Sequence, residues 1–466
     1  MRQSISEPSE LHPHDDDQRT CILVTGANSG LGFAICQRLI DEFIDTRPQF
    51  TSLTLIITTR DAPKSADTVS RLQRHCKAKS KPYEAPLSTR ITIQPENLDL
   101  TSLRSVRALA NKLLKGSIPH LDSIICNAGI GNVRGIAWGK AIGSMLTDFV
   151  NATTCATPYK ICDTGTLTAP QKADGEQQHL PDLGLVFTSN IFGHYMLSHQ
   201  LVPLLTSTPA GCDTGRIIFV SSLEAVAEAF NPQDIQALKT PQAYESSKRL
   251  TDLLVLTSEL PSTQPFINRF FASALTPTTT TSADEAPQIR LLDNDIPTDT
   301  PISGGGGGGI RMTDSTPRGG ASKPSFHLTH PGICATSFVP LPFPLTWLMA
   351  LAFYIARLLG SQWHTVRPYT GAKAPVWLAL ATEEEIEDVE VETAGKGMGK
   401  GKWGSGVDRW GRVGVRRTGV AGWEGGGLEM IRDEEREGFE EVGRGVWKEM
   451  EELRVFWEGQ VGKGEE

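Results

Sequence analysis

The stretch Thr25-Gly26-Ala27-Asn28-Ser29-Gly30-Leu31-Gly32 follows directly on the short apolar run Cys21–Val24. The apolar run predicts a buried strand, and Phe33–Ile40 has the apolar spacing of an amphipathic helix. A strand, a glycine turn and a helix in this order are typical of a dinucleotide site, in which the pyrophosphate lies at the helix N-terminus. The alternative for this stretch alone is a glycine-rich turn without a ligand.

A second predicted strand, Leu53–Thr58, ends close to Arg60. A site for NAD usually has an acidic residue here to bind the ribose hydroxyls, whereas an arginine suits the 2′-phosphate of NADP. Arg60 therefore favours NADPH. The alternative is that Arg60 simply lies on the surface and binds no cofactor. The acidic Asp61 next to it keeps this alternative open.

Two more predicted strands lead to polar residues that suit a cofactor. Ile91–Ile93 leads to Asp99, which is placed to contact the adenine. Ser123–Cys126 leads to Asn127-Ala128-Gly129, which we expect beside the cofactor.

Two later motifs complete a known constellation. Ser221-Ser222 follows the predicted strand Arg216–Val220, and Tyr244-Glu245-Ser246-Ser247-Lys248 places a lysine one helical turn after a tyrosine. With the glycine stretch and Asn127-Ala128-Gly129, these match the TGxxxGxG, NAG, Ser and YxxxK pattern, so the chain resembles the short-chain dehydrogenase/reductase family. This resemblance implies a nicotinamide-dependent oxidoreductase. It also implies an α/β fold, with a Rossmann-type doubly wound parallel sheet in a single domain with disordered inserts.

The same resemblance implies roles for four residues. Tyr244 is the general acid that protonates a carbonyl oxygen as hydride arrives, and Lys248 places a positive charge beside the phenol and reaches the nicotinamide ribose. A free tyrosine has a pKa of about 10, so it needs this help near neutrality. Ser222 polarises the substrate oxygen, with Ser221 as the alternative. Asn190 matches the asparagine that holds a proton-relay water, although it could simply bond its helix neighbours.

After the catalytic helix, His330-Pro331-Gly332-Ile333-Cys334-Ala335-Thr336 matches the family's PGxVxT turn, with cysteine in place of valine. Thr336 would contact the nicotinamide carboxamide, and a purely structural Pro-Gly turn is the alternative. The candidate catalytic residues are Ser222, Tyr244, Lys248 and Asn190. The candidate cofactor-binding residues are Thr25, Gly26, Asn28, Ser29, Gly30, Leu31, Gly32, Arg60, Asp99, Asn127, Tyr244, Lys248, Pro331, Gly332 and Thr336.

The spacing between the serine and the tyrosine departs from the general family pattern and points to one branch of the family. Ser222 lies 22 positions before Tyr244, a longer spacing than the general family pattern. The same longer spacing occurs in one branch, the 3-ketosteroid reductases of sterol C-4 demethylation. Residues 20–270 and 325–382 resemble this branch over most of their length. The matching positions are Gly32-Phe33-Ala34-Ile35-Cys36, Ser221-Ser222, Phe230, Asp234-Ile235-Gln236, Lys239, Tyr244, Ser246-Ser247-Lys248, Thr251-Asp252-Leu253-Leu254, Trp363-His364 and Trp377-Leu378-Ala379-Leu380.

The branch implies NADPH-dependent reduction of the 3-keto group of a 4-methyl sterol to the 3β-alcohol. It also implies other C-4 demethylation enzymes as partners, at the cytosolic face of the endoplasmic reticulum membrane or a lipid droplet. Two other functions fit the motifs: a reductase of another lipophilic carbonyl, such as a retinal or a long-chain aldehyde, and a scaffold for partner enzymes. The intact Tyr244/Lys248 pair argues against a purely structural role.

The length of 466 residues exceeds what this kind of domain needs. We assign residues 20–382 to the NADP-binding domain, with inserts at 152–181 and 275–323. The second insert contains the glycine run Gly304–Gly309 and cannot bury enough apolar surface to offset its ordering entropy, so we expect disorder. Residues 1–19 are also expected to be disordered, and they lack the apolar core of a signal peptide.

Residues 383–466 form a glycine- and charge-rich C-terminal extension. Its last part has helical apolar spacing, which predicts a short amphipathic helix. The residues with this spacing are Val446, Met450, Leu453 and Trp457.

Residues 338–360 contain an apolar helical stretch that is shorter than the roughly 20 residues needed to span a bilayer. Trp347, Tyr354 and Trp363 are aromatic residues of the type found at membrane interfaces. We therefore expect a helix that lies in a membrane surface beside the substrate entrance. The alternative is a helix packed over the substrate pocket or at a subunit contact.

Charge and composition argue against other classes. The net charge is −9 and no cluster of lysine and arginine is present, so nucleic acid is not an expected partner. The eight cysteines form no CxxC pair, which indicates reduced thiols and a cytosol-facing protein. No histidine, cysteine and carboxylate group has metal-ligand spacing, so no metal is expected.

Overall fold

The computed structural model describes residues 19–79, 89–171, 180–207, 213–275, 323–336, 341–394, 400–424 and 432–461. The predicted disorder of residues 1–18 and of nearly all of the insert 275–323 concerns parts of the chain outside these residues. So does the start of the membrane-associating segment, residues 338–340.

All five predicted strands are present, and each contains its apolar run, whereas most of the other strands were not predicted. The strands of the described residues are β1 Arg19–Val24, β2 Ser52–Thr59, β3 Ile91–Asn97, β4 Ser123–Cys126, β5 Val133–Ile136, β6 Lys160–Cys162, β7 Arg216–Val220, β8 Ser325–His330, β9 Lys402–Val407 and β10 Val413–Thr418. Residues Cys21 to Val24 of β1 and all of β4 and β7 are buried, as expected for parallel strands covered on both faces.

The helices of the described residues connect these strands. They are α1 Gly30–Thr46, α2 Ala62–Lys79, α3 Leu103–Leu114, α4 Trp138–Thr147, α5 Phe149–Thr154, α6 Leu185–Phe187, α7 Gly193–Gln200, α8 Val202–Leu205, α9 Ala243–Leu256, α10 Gln264–Leu275, α11 Phe343–Leu358, α12 Pro368–Gly371, α13 Lys373–Leu380, α14 Glu383–Ala394 and α15 Asp433–Val461. A π-helical turn, Thr188–Phe192, separates α6 from α7.

Eight of these strands form one sheet in the order β10-β9-β8-β7-β4-β1-β2-β3. All neighbours pair in parallel except β9 and β10, which are antiparallel. One hydrophobic cluster contains residues of α1, α2 and α13, and the other contains residues of α3, α7, α9 and α15. The predicted doubly wound α/β fold is therefore confirmed. The chain runs from β1 to β2 on one side and later from β4 to β7 on the other, which places a switch point at β1 and β4.

The region after residue 382 completes this sheet. β9 pairs in parallel with β8, and β10 pairs with β9 at the edge. The predicted C-terminal helix is found as α15, 29 residues long, and Val446, Met450 and Trp457 lie on its buried side. The sequence analysis set residues 383–466 apart by composition, whereas in the structure β9, β10 and α15 share the sheet and the core of the preceding residues.

The first insert contains the end of α5 and the strand β6, which its polar composition did not predict. β6 pairs with β5 in an antiparallel ribbon, and the side chain of Tyr159 is buried beside it. Lys160 forms ion pairs with Glu224 and Glu245, so charge pairing replaces the apolar burial that the composition lacks. Residues 172–179 of this insert lie outside the described residues.

Candidate active site

The glycine turn has the backbone geometry that its sequence requires. Gly26 and Gly30 have positive φ angles of +68° and +54°, a region that other residues rarely adopt. A Cβ atom at Gly32 would lie 2.1 Å from the carbonyl oxygen of Gly26, so only glycine lets α1 pack this closely against the turn. The first amides of a helix have no intrahelical acceptor. Among the described residues the Ser29 side chain makes no capping bond to α1 either, so the turn can receive an anion.

Hydrogen bonds fix this turn to the end of β4. Thr25 Oγ1 accepts from the amides of Asn127 and Ala128 at 2.9 and 3.0 Å, and Asn127 Nδ2 donates to the Thr25 carbonyl at 2.9 Å. The Nε2 atom of His194 lies 2.8 Å from Thr25 Oγ1. Burial lowers the pKa of His194 to about 3, so the ring is neutral and acts here as a structural partner.

Arg60 lies exposed immediately after β2. Its neighbour Asp61 accepts from the backbone amide of Lys64 at 2.9 Å and from Lys64 Nζ at 2.6 Å. These two bonds lower the pKa of Asp61 and commit its carboxylate to the start of α2. Arg60 is therefore the residue of this pair that remains for a cofactor phosphate.

Arg71 of α2 is a second cation beside the glycine turn, and no sequence motif pointed to it. Its NH1 atom donates to the carbonyl of Asn28 at 3.1 Å, and its guanidinium lies 3.8 Å from the centroid of the Phe33 ring. The proximity arises because α2 packs against α1. A sequence pattern cannot reveal such a contact between two helices.

Asp99 lies just after β3, which ends at Asn97, and is partly buried. Its Oδ1 atom accepts from the amide and the hydroxyl of Thr101 at 2.9 and 2.7 Å. The backbone amide of Asp99 donates to Ser105 Oγ at 3.0 Å. Asp99 therefore shapes the turn into α3 at the position where the sequence placed the adenine contact.

The Pro331-Gly332 turn brings Thr336 to the glycine turn. Gly332 has a φ angle of +70°, and a Cβ atom there would lie 2.3 Å from the carbonyl of Trp363. Thr336 Cγ2 lies 3.8 Å from the position that a Cβ atom at Gly30 would take. Two candidate cofactor-binding segments, more than 300 residues apart in the chain, thus meet in space.

Tyr244 lies in the first turn of α9, with the other catalytic candidates around it. Its hydroxyl is hydrogen-bonded to the side chain of Ser222. Lys248 Nζ lies 5.7 Å from the centroid of the tyrosine ring and donates to the carbonyl of Val220 at 2.7 Å. The Ser221 hydroxyl is buried and donates to Asp252 instead. Of the two serines, Ser222 is therefore the one beside the tyrosine.

Burial shifts both titratable groups of this pair. It raises the pKa of Tyr244 to about 12, with the negative charge of Glu224 acting in the same direction. It lowers the pKa of Lys248 to about 8, although Asp252 partly opposes this change. Near neutrality Tyr244 therefore carries the proton that a general acid must donate, while Lys248 is close to its titration range.

Asn190 lies in the π-helical turn, a local geometry that is frequent at functional sites. Its Oδ1 atom accepts from the amide of Ile130 at 2.7 Å. Its Nδ2 atom donates to the Ile130 carbonyl and to Ser247 Oγ, both at 3.0 Å. These side-chain partners lie outside its own helix, so Asn190 joins the segment after β4 to the catalytic helix.

Lys402 of β9 is a further site residue that the sequence analysis missed. Its Nζ atom donates to the carbonyl of Ser222 at 2.7 Å and to Asp252 Oδ2 at 2.6 Å. It lies in the glycine- and charge-rich region, where a single lysine gives no signal. Lys402 therefore holds the backbone of Ser222 in place.

One group of metal-capable side chains is found among the described residues, at the opposite end of β1 from the glycine turn. It consists of Cys21, His120 and Asp122. His120 Nε2 lies 3.0 Å from the carbonyl of Arg19, and Asp122 Oδ2 accepts from the amide of Cys21 at 2.6 Å. Two of the three possible ligand atoms are thus already engaged in hydrogen bonds.

Fold and site together define a class. A doubly wound parallel sheet, a TGxxxGxG turn after β1 and a Ser222, Tyr244 and Lys248 cluster are those of a short-chain dehydrogenase/reductase. No family model matches the chain. Curated proteins do match it over nearly its full length.

The chain is 42% identical to the 3-keto-steroid reductase erg27 of Aspergillus fumigatus, covering 97% of each chain. It is 33% identical to ERG27 of Gibberella zeae, covering 95% of this chain and 94% of that protein. It is 29% identical to erg27 of Schizosaccharomyces pombe, with 86% and 91% covered. The chain therefore belongs to the 3-keto-steroid reductase family.

Proposed function

We propose that this chain reduces the 3-keto group of a 4-methyl sterol to the 3β-hydroxyl, with NADPH as the hydride donor, during sterol C-4 demethylation. The observation that carries the proposal is the contact of Ser222 with Tyr244, beside Lys248, in a chain of the 3-keto-steroid reductase family.

The residues around the glycine turn suit NADPH. The free amides of Gly30 to Gly32 at the start of α1 would bind the pyrophosphate. Arg60 would bind the 2′-phosphate, because Asp61 is committed to Lys64. Arg71 adds positive charge beside the turn, through its bond to the Asn28 carbonyl. When bound, NADPH supplies the hydride.

The chain's own residues would then handle the proton. Ser222 donates a hydrogen bond to the 3-keto oxygen, and Tyr244 transfers its proton to that oxygen as the carbonyl is reduced. The positive charge of Lys248 stabilises the resulting tyrosinate. Lys248 and a water held at Asn190 return the proton to the tyrosine. Asn190 also holds the catalytic helix in place through Ser247.

Two helices form an apolar surface that we assign to membrane contact. The exposed residues of α11 and its end are Trp347, Leu348, Leu351, Tyr354, Ile355, Leu358 and Leu359, and those of α4 are Trp138, Ile142 and Leu146. α5 packs against both α4 and α11, so the two helices are close together. We name these ten residues the α4/α11 surface. No helix of the described residues is long and apolar enough to cross a membrane.

The α4 helix of the α4/α11 surface leads along the chain into the insert that reaches Tyr244. α5 and β6 follow α4 directly, and Lys160 of β6 lies near the tyrosine ring. We propose that a sterol passes from a lipid surface to the site along this insert, without crossing water. The apolar surface supports membrane contact; as the membrane we propose the cytosolic face of the endoplasmic reticulum or a lipid droplet, with other C-4 demethylation enzymes as partners.

The test is NADPH oxidation by the purified chain in detergent with a 4-methyl-3-ketosterol, alongside NADH and the Tyr244→Phe variant. Tyr244→Phe removes the proton donor, so we expect the rate to fall by at least about 100-fold while NADPH binding persists. No turnover by the wild-type chain despite NADPH binding would contradict the sterol assignment. Turnover with a retinal or a long-chain aldehyde would then identify the other kind of carbonyl reductase.

A further inference from the structure

Three charged side chains form a buried cluster beside Tyr244. Lys160 of β6 pairs with Glu224, which follows β7, at 2.9 Å and with Glu245 of α9. The side chains of Lys160 and Glu245 are only 3% and 2% exposed. Charged groups at this depth require partners, because the protein interior solvates them poorly. We name these three residues the Lys160 cluster; it contains one cation and two carboxylates.

The cluster is held in a defined geometry. Thr157 Oγ1 donates to Glu224 at 3.2 Å and to Glu245 at 3.1 Å, and the amide of Ala156 donates to Glu224 at 2.9 Å. In the described part of the chain the second carboxylate oxygen of Glu245 is buried without a hydrogen-bond partner. Glu245 therefore depends on Lys160 and Thr157 for its stabilisation.

The cluster touches the catalytic residues directly. Lys160 Nζ lies 5.2 Å from the centroid of the Tyr244 ring, closer than Lys248 Nζ at 5.7 Å. The amide of Glu224 donates to Ser222 Oγ at 3.1 Å, and Glu245 follows the tyrosine in the chain. Charges at such distances act strongly on a phenol in a partly desolvated site.

We propose that Lys160, Glu224 and Glu245 are positioning residues that control the ionisation of the Tyr244 hydroxyl. The two carboxylates favour the protonated phenol, which reduction requires, and Lys160 limits their effect. This inference rests on the proposed reductase function. Besides Lys160 and Glu224, three groups face the tyrosine. They are the third cluster member Glu245 and Lys248, both from α9, and Ser222, which follows β7.

The direction of each charge effect supports this assignment. After burial, Glu224 and Glu245 raise the pKa of Tyr244, while Lys160 and the Ser222 bond lower it. With this arrangement the tyrosine keeps its proton up to alkaline pH, whereas oxidation of the alcohol needs the tyrosinate as a base. The effect of the cluster can therefore be measured in the pH dependence of the oxidation direction.

The experiment is the pH profile of kcat/KM for oxidation of a 4-methyl-3β-hydroxysterol by NADP⁺, measured with the full chain in detergent. Below the pKa of Tyr244, kcat/KM follows the ionised fraction of the tyrosine. Glu245→Gln removes a negative charge, so we expect the profile to move about one pH unit toward acid and oxidation at pH 8 to rise about 10-fold.

Lys160→Met removes a positive charge and should move the same profile about one pH unit toward alkali. Lys160→Arg keeps the charge and should restore the wild-type position. The matched controls are Lys77→Met on α2 and Glu441→Gln on α15, both at exposed positions remote in sequence from the cluster. These controls should leave the profile unchanged.

Damage to the fold would lower the activity of both variants. It would not move the pH profiles of Glu245→Gln and Lys160→Met in opposite directions. An active wild-type chain whose two variants move together, or not at all, overturns this inference alone. A wild-type chain that turns over in neither direction overturns the proposed function and this inference with it. If near-ultraviolet circular dichroism shows that Lys160→Met is unfolded, Glu245→Gln decides, and an unmoved profile in that variant overturns the inference.

Discussion

Lys248 carries the charge on which the proposed chemistry depends, and its pKa of about 8 lies close to physiological pH. Burial is the main cause, and Lys402 contributes in the same direction. Because the pKa is lowered from its ordinary value of 10.5, the lysine loses its charge as pH rises through about 8. A group outside the site would lose it only at higher pH.

We therefore expect kcat/KM for sterol reduction, which reports on the free enzyme, to fall as pH rises above about 8, by up to tenfold per unit. In Lys248→Arg the charge persists, so this limb should vanish even though the maximal rate is lower. Steady-state rates between pH 6 and pH 10 test this. A wild-type profile that stays flat to pH 10 would contradict the assignment of the limb to Lys248.

Arg60 should determine the preference for NADPH. Arg60→Ala removes the charge available for the 2′-phosphate, so the KM for NADPH should rise roughly 10- to 100-fold while the KM for NADH stays constant. Arg74→Ala, at an exposed position on α2, is the matched control. Equal effects of the two variants would place the 2′-phosphate elsewhere.

Site residues that belong to a local motif could be predicted from the sequence, and others could not. Tyr244 and Ser222 belong to local motifs, and the structure brings them into contact. Arg71 of α2 reaches the glycine turn, and Lys160 of β6 and Lys402 of β9 reach the catalytic residues, although no motif marks any of the three. Their positions depend on how distant segments pack, and a periodic pattern in one segment contains no information about that.

At the scale of single elements, α4 and α11 share an unusual feature: each exposes an apolar side. Trp347 is 69% exposed and Leu351 is 54% exposed on α11. On α4, Trp138, Ile142 and Leu146 recur at every fourth position. The sequence predicted an interfacial helix in residues 338–360 but gave no indication of α4, because the stripe on α4 becomes meaningful only beside α11.

The double variant Trp347→Glu/Leu351→Glu should weaken binding to phosphatidylcholine vesicles at least about tenfold, because two apolar side chains that would enter the bilayer become charged. Flotation with vesicles measures this. Turnover of a detergent-solubilised sterol should persist. Val391→Glu is the control, since Val391 is 50% exposed on a different helix, α14. If the double variant floats with the vesicles to the same extent as the wild type, the α4/α11 surface is not the membrane contact.

For the molecule as a whole, α15 links the end of the chain to the catalytic helix. Trp447 is 1% exposed, and its Nε1 atom donates to the carbonyl of Leu254 at 3.0 Å. Its ring also packs against Phe270, Phe326 and Tyr195. The core beneath the active site is thus incomplete without the last helix.

Trp447→Ala should lower the free energy of unfolding by about 3–5 kcal/mol, because it leaves a large cavity and an unpaired carbonyl. Urea denaturation followed by circular dichroism measures the change. Trp410→Ala, at a tryptophan that is 84% exposed, should change it by less than about 0.5 kcal/mol. Similar losses in both variants would show that α15 does not stabilise the core.

The strands β1, β2, β3, β4 and β7 could be predicted because each contains a compact apolar run next to a motif. The role of the last 80 or so residues could not be predicted, because their glycine and charge content masks the alternation that a strand usually shows. β9 contains two glycines, and its side chains are nonetheless all buried. α15 had the correct apolar spacing, but spacing alone does not reveal which core a helix joins.

The bond from Lys402 to Ser222 spans 180 positions of the chain. During synthesis, the serine, the tyrosine and β8 therefore leave the ribosome well before the strand that completes them, at a rate of about 5–20 residues per second. For some seconds β8 is an open sheet edge, and the surface that α15 will cover faces water. Nascent chains in this interval should be the form that chaperones bind, and a stop codon that removes α15 should leave a product that is degraded.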